Sequence, residues 1–516
     1  MNKEMYNNVI EHTLKRKPSG DPLSTARAIF NNLGVALPKG DLGSVYNTIK
    51  TGKYMGWKRC SLKDAQDAAN NGIAAIDEIA WAKAQKMTVL VTDHHAVPFE
   101  EHEGRRTEKK SLADAVVNPH QQDCGYPYKE LCGAGVAWNV IRVLYENYDM
   151  DKREAEDLLD FVAMATVCDV MSLTGENRIL VKEGLKRIRH TKNIGLQALM
   201  QACNVQPENI SAYHFGYVLG PCVNATGRLD TARHALRLFE TGQETEAEEI
   251  ARDLVDLNQE RKELTLQGVE MAKKLCEEGG YENDPVLVLF LPDVHESIAG
   301  LIAGRIREMY NRPVFVLTRG EEGVKGSGRS TENYSMYENM CGCAELFTKF
   351  GGHPMAAGLS LPEENVEKFR RKINENCPLT VEEVCPDIHI DMAMPVGYAS
   401  TELVHQFALL EPFGKDNPSP LFADRNLSIS RMWLIGKNRN VLRMSVLSEY
   451  GQPVPVIFFG DVETLFAYFT EKFGQEEVEN ALHGRKNRIL FSMVYTAKID
   501  FYQGNENLQL EMKYYR

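Results

Sequence analysis

The chain has 516 residues, is 43% hydrophobic and 25% charged, and carries a formal net charge of −13. Such a length calls for three or four domains, each burying its own core. The acidic balance excludes a polycationic nucleic-acid coat, so strand binding has to come from a local basic groove. No apolar run is long enough to span a membrane, and Met1-Asn2-Lys3-Glu4 opens no signal peptide. The eleven cysteines are scattered. Cys341-Gly-Cys343 is close-set but lacks the second pair that zinc would want. A reduced, cytoplasmic protein is the expectation.

Met87-Thr-Val-Leu-Val-Thr92 reads as a buried strand, with Asp93-His94-His95 at its carboxyl end. Ligands bind at that end of strands in open α/β sheets. A carboxylate with two imidazoles suits a divalent ion such as Mn²⁺, and two such ions can clamp a phosphoryl group under attack by water. A polar surface loop has the same composition, and three residues do not separate these readings. Ala115-Val-Val117 reads as a second short strand. Asn118-Pro119-His120 closes it as a turn whose histidine can orient a metal ligand. A helix opens at Gly133, and another over 152–166 delivers the chain to Cys168-Asp169-Val170. Asp169 by itself is a helix cap; it gains weight from sharing a unit with the 93–95 tripeptide. Residues 228–278 contain no Pro and two Gly and predict one long helix bridging domains. Gly220-Pro-Cys-Val-Asn224-Ala-Thr-Gly227-Arg228 places Arg228 at the start of that helix. A helix N-terminus with a guanidinium makes an anion site, although an exposed arginine is the plainer reading of this motif alone.

A second α/β unit follows, with a strand at Val286–Leu291, a helix at Glu296–Tyr310 and a strand at Pro313–Leu317. Its Gly-rich stretch Gly323–Ser330 reads as a basic loop in which small residues admit a phosphate and Arg329 forks onto it. Phe350-Gly351-Gly352-His353 repeats the pattern with an imidazole donor. Beyond Cys385, short alternating runs such as Arg443–Leu447 and Val454–Phe459 predict a small β-barrel.

In order, these motifs resemble those of RecJ-type single-stranded-DNA exonucleases of the DHH phosphoesterase superfamily. The matching segments are Val91-Thr-Asp93-His94-His95, Asn118-Pro119, Ala165-Thr-Val-Cys-Asp169, Leu173–Arg178, Gly220–Arg228, His295-Glu-Ser-Ile-Ala-Gly300, Gly326-Ser-Gly-Arg-Ser330, Phe350-Gly-Gly-His353 and Pro412–Pro418. In the last, Asp416 stands where a Gly is more usual. The resemblance implies an α/β fold: a DHH-type parallel-sheet domain, a long connecting helix, a smaller α/β DHH-associated domain and a C-terminal OB-like barrel. It implies 5′-to-3′ hydrolysis of single-stranded DNA in recombination and repair with Mn²⁺ or Mg²⁺, alongside a single-strand-binding protein and a helicase. It assigns Asp93, His94, His95 and Asp169 to catalysis, with Asp93, His94 and Asp169 on the metal. Asn224, Arg228, Ser327, Gly328, Arg329, Gly352 and His353 fall to the nucleic acid, with Arg228, Ser327 and Arg329 on the 5′ phosphate.

The implied domains are 72–227 (DHH), 228–280 (connecting helix), 281–380 (DHH-associated) and 381–516 (OB-like). Residues 1–71 do not fit. The family's Gly-Asp-Tyr-Asp-type strand end is missing, and Asn70-Asn71-Gly72-Ile73 stands where Asp-Asn-Gly-Ile is expected. An amide cannot supply a bridging charge. Gly20-Asp21-Pro22-Leu23 reads as a helix start, Ser61–Asp64 as a capping box and Asn71-Gly72 as a helix stop. A mostly helical segment is the expectation. Catalysis then turns on whether acids such as Asp41, Asp64 or Asp67 replace the missing ligands. The alternatives are a non-catalytic strand-binding relative, or a DHH phosphodiesterase acting on short oligonucleotides.

Overall fold

A computed structural model of the protein describes residues 72–379 and 388–516, apart from 103–104, 230–231, 282, 321–322, 437–438 and 503–504. The expectations for residues 1–71, with Asp21, Asp41, Asp64 and Asp67, lie outside the described residues. The described residues of Met1–Asp169 and Glu183–Pro386 form one compact unit; those of Val170–Lys182 and Asp387–Arg516 form another. No described helix is long and apolar enough to cross a membrane.

The first unit opens with helix α1 (Ile76–Ala84) and strand β1 (Leu90–Thr92). Hairpin β2–β3 (Phe99–His102, Arg105–Glu108) separates β1 from β4 (Ala115–Val117), which lies parallel to it with Val91 opposite Val116. Among the described residues this sheet has these two strands alone. Ile73, Ala75, Ile79 and Val91 bury themselves together on it. Asp93 N–H donates to the Val117 carbonyl (3.0 Å), so the ladder continues one residue into the tripeptide.

Helix α2 (Gly133–Asn147) follows, and the helix expected over 152–166 is two: α3 (Lys152–Glu156) and α4 (Leu159–Cys168). The Trp138 indole N–H donates to the Ala155 carbonyl (2.7 Å), taking the acceptor that a continuous helix would offer to residue 159. After α5 (Gly175–Ile188) and α6 (Ile194–Ala202), the helix expected from 228 is also divided. Arg228 belongs to the last turn of α7 (Gly220–Leu229); α8 (Ala232–Glu240) and α9 (Glu244–Glu278) follow. Between α8 and α9, Thr241 Oγ1 accepts from Gln243 N–H (3.1 Å) beside Gly242, a poor helix former. The Arg237–Glu246 ion pair (2.6 Å) spans the break. The 35-residue α9 does bridge two cores. Its first half buries Ala247, Ile250 and Leu254 where α6 and α7 pack, and its second half sets Val269, Ala272 and Cys276 against α10 (Glu296–Tyr310).

The second α/β sheet has the order β5 (Leu287–Phe290), β6 (Val314–Gly320), β7 (Gly323–Arg329), β9 (Ala356–Leu361), β8 (Lys349–His353). Strands β5 and β6 are parallel across α10; the other pairs are antiparallel. The stretch read as a Gly-rich loop is therefore a strand. Period-two alternation explains its composition. Val324, Gly326 and Gly328 face a core with Phe315, Leu317, Leu359 and Phe369, closed by α11 (Met336–Cys341) and α12 (Val366–Glu375). A Cβ on Gly326 would lie 2.4 Å from Leu317 Cδ2, and one on Gly328 would lie 2.4 Å from Met336 Sδ. These glycines make room for core side chains, not for a phosphate. Lys325, Ser327 and Arg329 face the other way.

In the second unit, β10 (Met392–Ala393), β11 (Phe422–Ile435), β12 (Val441–Leu447), β13 (Pro453–Phe458), β14 (Leu490–Tyr502) and β15 (Asn505–Tyr515) form one sheet ordered β10-β11-β12-β13-β15-β14. Strand β11 pairs with both β12 and β14, so the sheet closes on itself as the expected barrel. Its interior includes Leu427, Ile429, Met432, Met444 and Val456. Asp416 has φ +59°, the left-handed conformation that makes a Gly usual at that turn and that Asp tolerates.

Candidate metal centre and phosphate-reading sheet

Asp93 is 6% exposed at the end of β1, and its carboxylate orders the whole loop. Oδ2 accepts from Ile73 N–H (2.7 Å). Oδ1 accepts from His94 N–H (2.7 Å), His95 N–H (3.1 Å) and His95 Nδ1–H (2.7 Å). Burial pushes the Asp93 carboxyl up, but these donors outweigh it and hold the group below the ordinary carboxylate range. Gly72 allows the closure: it has φ +42°, and a Cβ there would lie 2.1 Å from Asp93 Oδ2. The helix expected to stop at Asn71-Gly72 lies outside the described residues. Gly72 opens a short turn whose next N–H grips the carboxylate.

His95 donates through Nδ1 to ionised Asp93, and its ring is exposed. His94 lies deeper. Burial, more than its neighbours, sets its pKa below the ordinary imidazole value, so the ring is neutral and able to coordinate at pH 7. Asp169 caps the C-terminus of α4, and its Oδ2 lies 3.4 Å from His94 Nε2. Two donors each about 2.1 Å from one ion are roughly 3.0–3.4 Å apart. The pair fits a shared divalent cation. Ligand atoms of Asp93, His94 and His95 lie within 4.8 Å of one another. Asp169 stands outside that mutual grouping and reaches the site through His94, and among the described residues no other acid joins the cluster.

The neighbouring turn works through Asn118 more than through His120. Fully buried Asn118 donates Nδ2–H to the His95 carbonyl (2.9 Å) and accepts from His120 N–H (2.8 Å). Its signal was the amide in an Asn-Pro turn directly after a buried strand.

On the second sheet, Arg329 Nη1–H donates to Ser327 Oγ (3.3 Å) and to the Gly328 carbonyl (2.7 Å). A Cβ on Gly300 would lie 2.7 Å from Ser327 Oγ and 2.8 Å from Arg329 Nη2, so Gly300 on α10 is what leaves space for the guanidinium. It was visible in the His295–Gly300 segment, but its purpose was not. His353 is exposed at the end of β8, in the same cross-strand row as Ala356 and Arg329. Gly352 brings the backbone close: a Cβ there would lie 2.5 Å from the Ala356 carbonyl. Helix α7, with Asn224 and Arg228, packs on α10. The Arg228 side chain lies outside the described atoms. Arg228 lies late in α7, so it does not stand at a helix start as expected.

The barrel adds residues the sequence reading did not single out. Trp433 on β11 lies opposite Arg443 on β12, and the Arg431 and Arg443 guanidinia stand 5.7 and 6.0 Å from its ring centroid. Alternation around buried Met432 is the signal that puts Arg431 and Trp433 on one outer face.

Residues 50–166 match the DHH family N-terminal domain, a span that begins inside the segment 1–71 expected not to fit; 283–377 match the DHHA1 domain and 390–514 the RecJ OB domain. The chain is 31% identical over 465 residues to the single-stranded-DNA-specific exonuclease RecJ of Haemophilus influenzae, covering 86% of this chain and 76% of that protein. It is 32% identical over 387 residues to RecJ of Bacillus subtilis, covering 74% of this chain but 47% of that one. The crystal structure of Thermus thermophilus RecJ in complex with Mn²⁺ superposes with a TM-score of 0.68 at 26% identity, over 86% of this chain and 60% of that one. That protein has also been solved with Mg²⁺.

Proposed function

Because the chain belongs to the RecJ family of single-stranded-DNA-specific exonucleases, we propose that it hydrolyses single-stranded DNA from the 5′ end with Mn²⁺ or Mg²⁺ held by Asp93, His94 and Asp169. The observation that carries this reading is the 3.4 Å approach of His94 Nε2 to Asp169 Oδ2 beside the ionised Asp93 carboxylate. A bound ion supplies Lewis-acid polarisation of the phosphoryl oxygens and a more acidic water. The chain's own groups do the rest. Asp93 holds His94 and His95 in register through their backbone N–H groups, and Asn118 fixes the loop from behind. Ser327 and Arg329, with Arg228, take the 5′ phosphate, and His353 donates to the backbone next to the scissile bond. Stacking on Trp433 between two arginines serves any base, which suits digestion without base-edge readout.

The described cluster accounts for one ion. The acids that would hold a bridged second ion are not among the described residues, so turnover is impaired unless residues 1–71 supply them. Strands labelled at the 5′ or the 3′ end, incubated with Mn²⁺, test the assignment. The 5′ label should be released first as a mononucleotide, from single strands and not from duplex. Release of the 3′ label first would refute the polarity.

A further inference from the structure

The face of the second sheet that carries Ser327 and Arg329 does not end with them. Cross-strand register sets three rows on it: Arg329, Ala356 and His353; then Ser327, Gly358 and Gly351; then Lys325, Ser360 and Lys349. Thr318 on β6 pairs with Lys325 and extends the third row. The second and third rows line a cleft of about 470 Å³, bordered by Ser297 at the start of α10.

Two features of the cleft call for an occupant. Its floor is bare at Gly351 and Gly358, yet packing does not require glycine there. A Cβ at Gly351 would meet nothing within 4 Å, and one at Gly358 only the Gly326 carbonyl at 3.9 Å. Gly326, Gly328 and Gly352, by contrast, are each excluded from bearing a side chain by atoms within 2.5 Å. The second feature is Thr318, which is fully buried and lines the cleft while its Oγ1 has no hydrogen-bond partner. A buried hydroxyl left unsatisfied is costly unless a ligand completes it.

The lining is that of an anion site. Lys325 and Lys349 supply two positive charges, and Glu296 removes one through its 2.7 Å pair with Lys325. The positive end of the 15-residue α10 points to the same place. Lys325 lies two residues from Ser327, about 6.6 Å along the strand, the reach of two further phosphates.

We propose that this trough receives a polyphosphate tail, so that the chain accepts strands whose 5′ end is a di- or triphosphate and holds the outer phosphates on Lys325, Lys349 and Thr318. The inference rests on the placement of the terminal phosphate at Ser327 and Arg329 argued above. The experiment compares 5′-monophosphate and 5′-triphosphate oligonucleotides by fluorescence anisotropy on the full chain in EDTA, which prevents digestion. The parent should bind the triphosphate strand about tenfold or more tightly, the scale of one charge-assisted contact. The Lys325→Ala/Lys349→Ala double variant should lose that preference and keep its monophosphate affinity. Glu296→Gln should enlarge the preference, an opposite sign that misfolding cannot imitate. Inorganic tripolyphosphate should compete with the triphosphate strand in the parent and not in the double variant. Equal affinity of the parent for both strands, or a preference that survives the double substitution, overturns the proposal. Arg329→Ala separates the two readings: unchanged monophosphate affinity in that variant refutes the underlying phosphate assignment, whatever the triphosphate result.

Discussion

At the candidate metal loop structural support and the candidate ligands coincide: Asp93 is buried, accepts four hydrogen bonds, and has its neighbours fixed by Gly72 and Asn118. On β7 the arrangement is reversed. Ser327 and Arg329 stand on the sheet face that α10 covers in part, with Gly300 leaving them room, and the strand's structural duty is discharged on its other side by Val324, Gly326 and Gly328. Folding and the proposed function are thus fused at the loop and separated on the strand. Substitutions in the two places should fail in different ways.

The largest difference is expected between Asp93→Ala and Arg329→Ala. The first should lose digestion by more than the ~10–100-fold typical of losing an outer partner of a metal ligand. It should also lose about 1–3 kcal/mol of stability, because the Ile73 N–H is left without its acceptor. The second should melt like the parent and lose about 1.5–3 kcal/mol of affinity for 5′-phosphorylated strands. Thermal melts and binding isotherms on both variants decide it; an unstable Arg329→Ala would erase the contrast.

Asn118→Ala probes the loop's support. With its bonds to the His95 carbonyl and His120 N–H gone, Mn²⁺ affinity should fall ~10–100-fold with the ligands themselves intact. Unchanged metal titration would show that the loop does not depend on it.

On the strand, glycines of opposite faces should separate stability from binding. Gly328→Ala forces a methyl against Met336 and Phe315 and should cost about 1–3 kcal/mol in denaturant unfolding. Gly351→Ala, with open space around it, should stay within about 0.5 kcal/mol of the parent. Comparable losses would mean that both faces are structural.

The smallest effect concerns a second buried acid. Asp160 accepts from Thr191 Oγ1–H and Phe161 N–H (both 2.7 Å), yet burial prevails and raises its pKa, the reverse of Asp93. A raised folded pKa gives stability that is full below the unfolded value of about 3.9 and is lost as pH rises through the folded one. Asp160→Asn should therefore gain on the parent as pH increases from about 4 to neutrality. A difference that stays constant with pH would contradict this.

The same separation decides what the sequence disclosed. The strand ending in Asp93-His94-His95, the helix Glu296–Tyr310 and the alternation of the barrel were legible because hydrophobic period and motif coincide there. The breaks at 157–158 and 241–243 were not, since the first depends on an indole reaching from another helix and the second on a threonine side chain. The strand Gly323–Arg329 looked like a loop because its glycines answer to Leu317 and Met336, which only the assembled sheet brings near. Likewise Asp169 became a metal candidate by sequence order, but its 3.4 Å approach to His94 required the fold.

The central claim is that Asp93, His94 and Asp169 share one divalent ion on which strand hydrolysis depends. Calorimetric titration of Mn²⁺ into the parent and Asp169→Ala, followed by 5′ digestion on the same preparations, tests it most directly. The account predicts that Asp169→Ala loses the Mn²⁺ site and all digestion while still binding 5′-phosphorylated single strands. Identical Mn²⁺ stoichiometry and affinity in the two proteins, or digestion that survives the substitution, would contradict it.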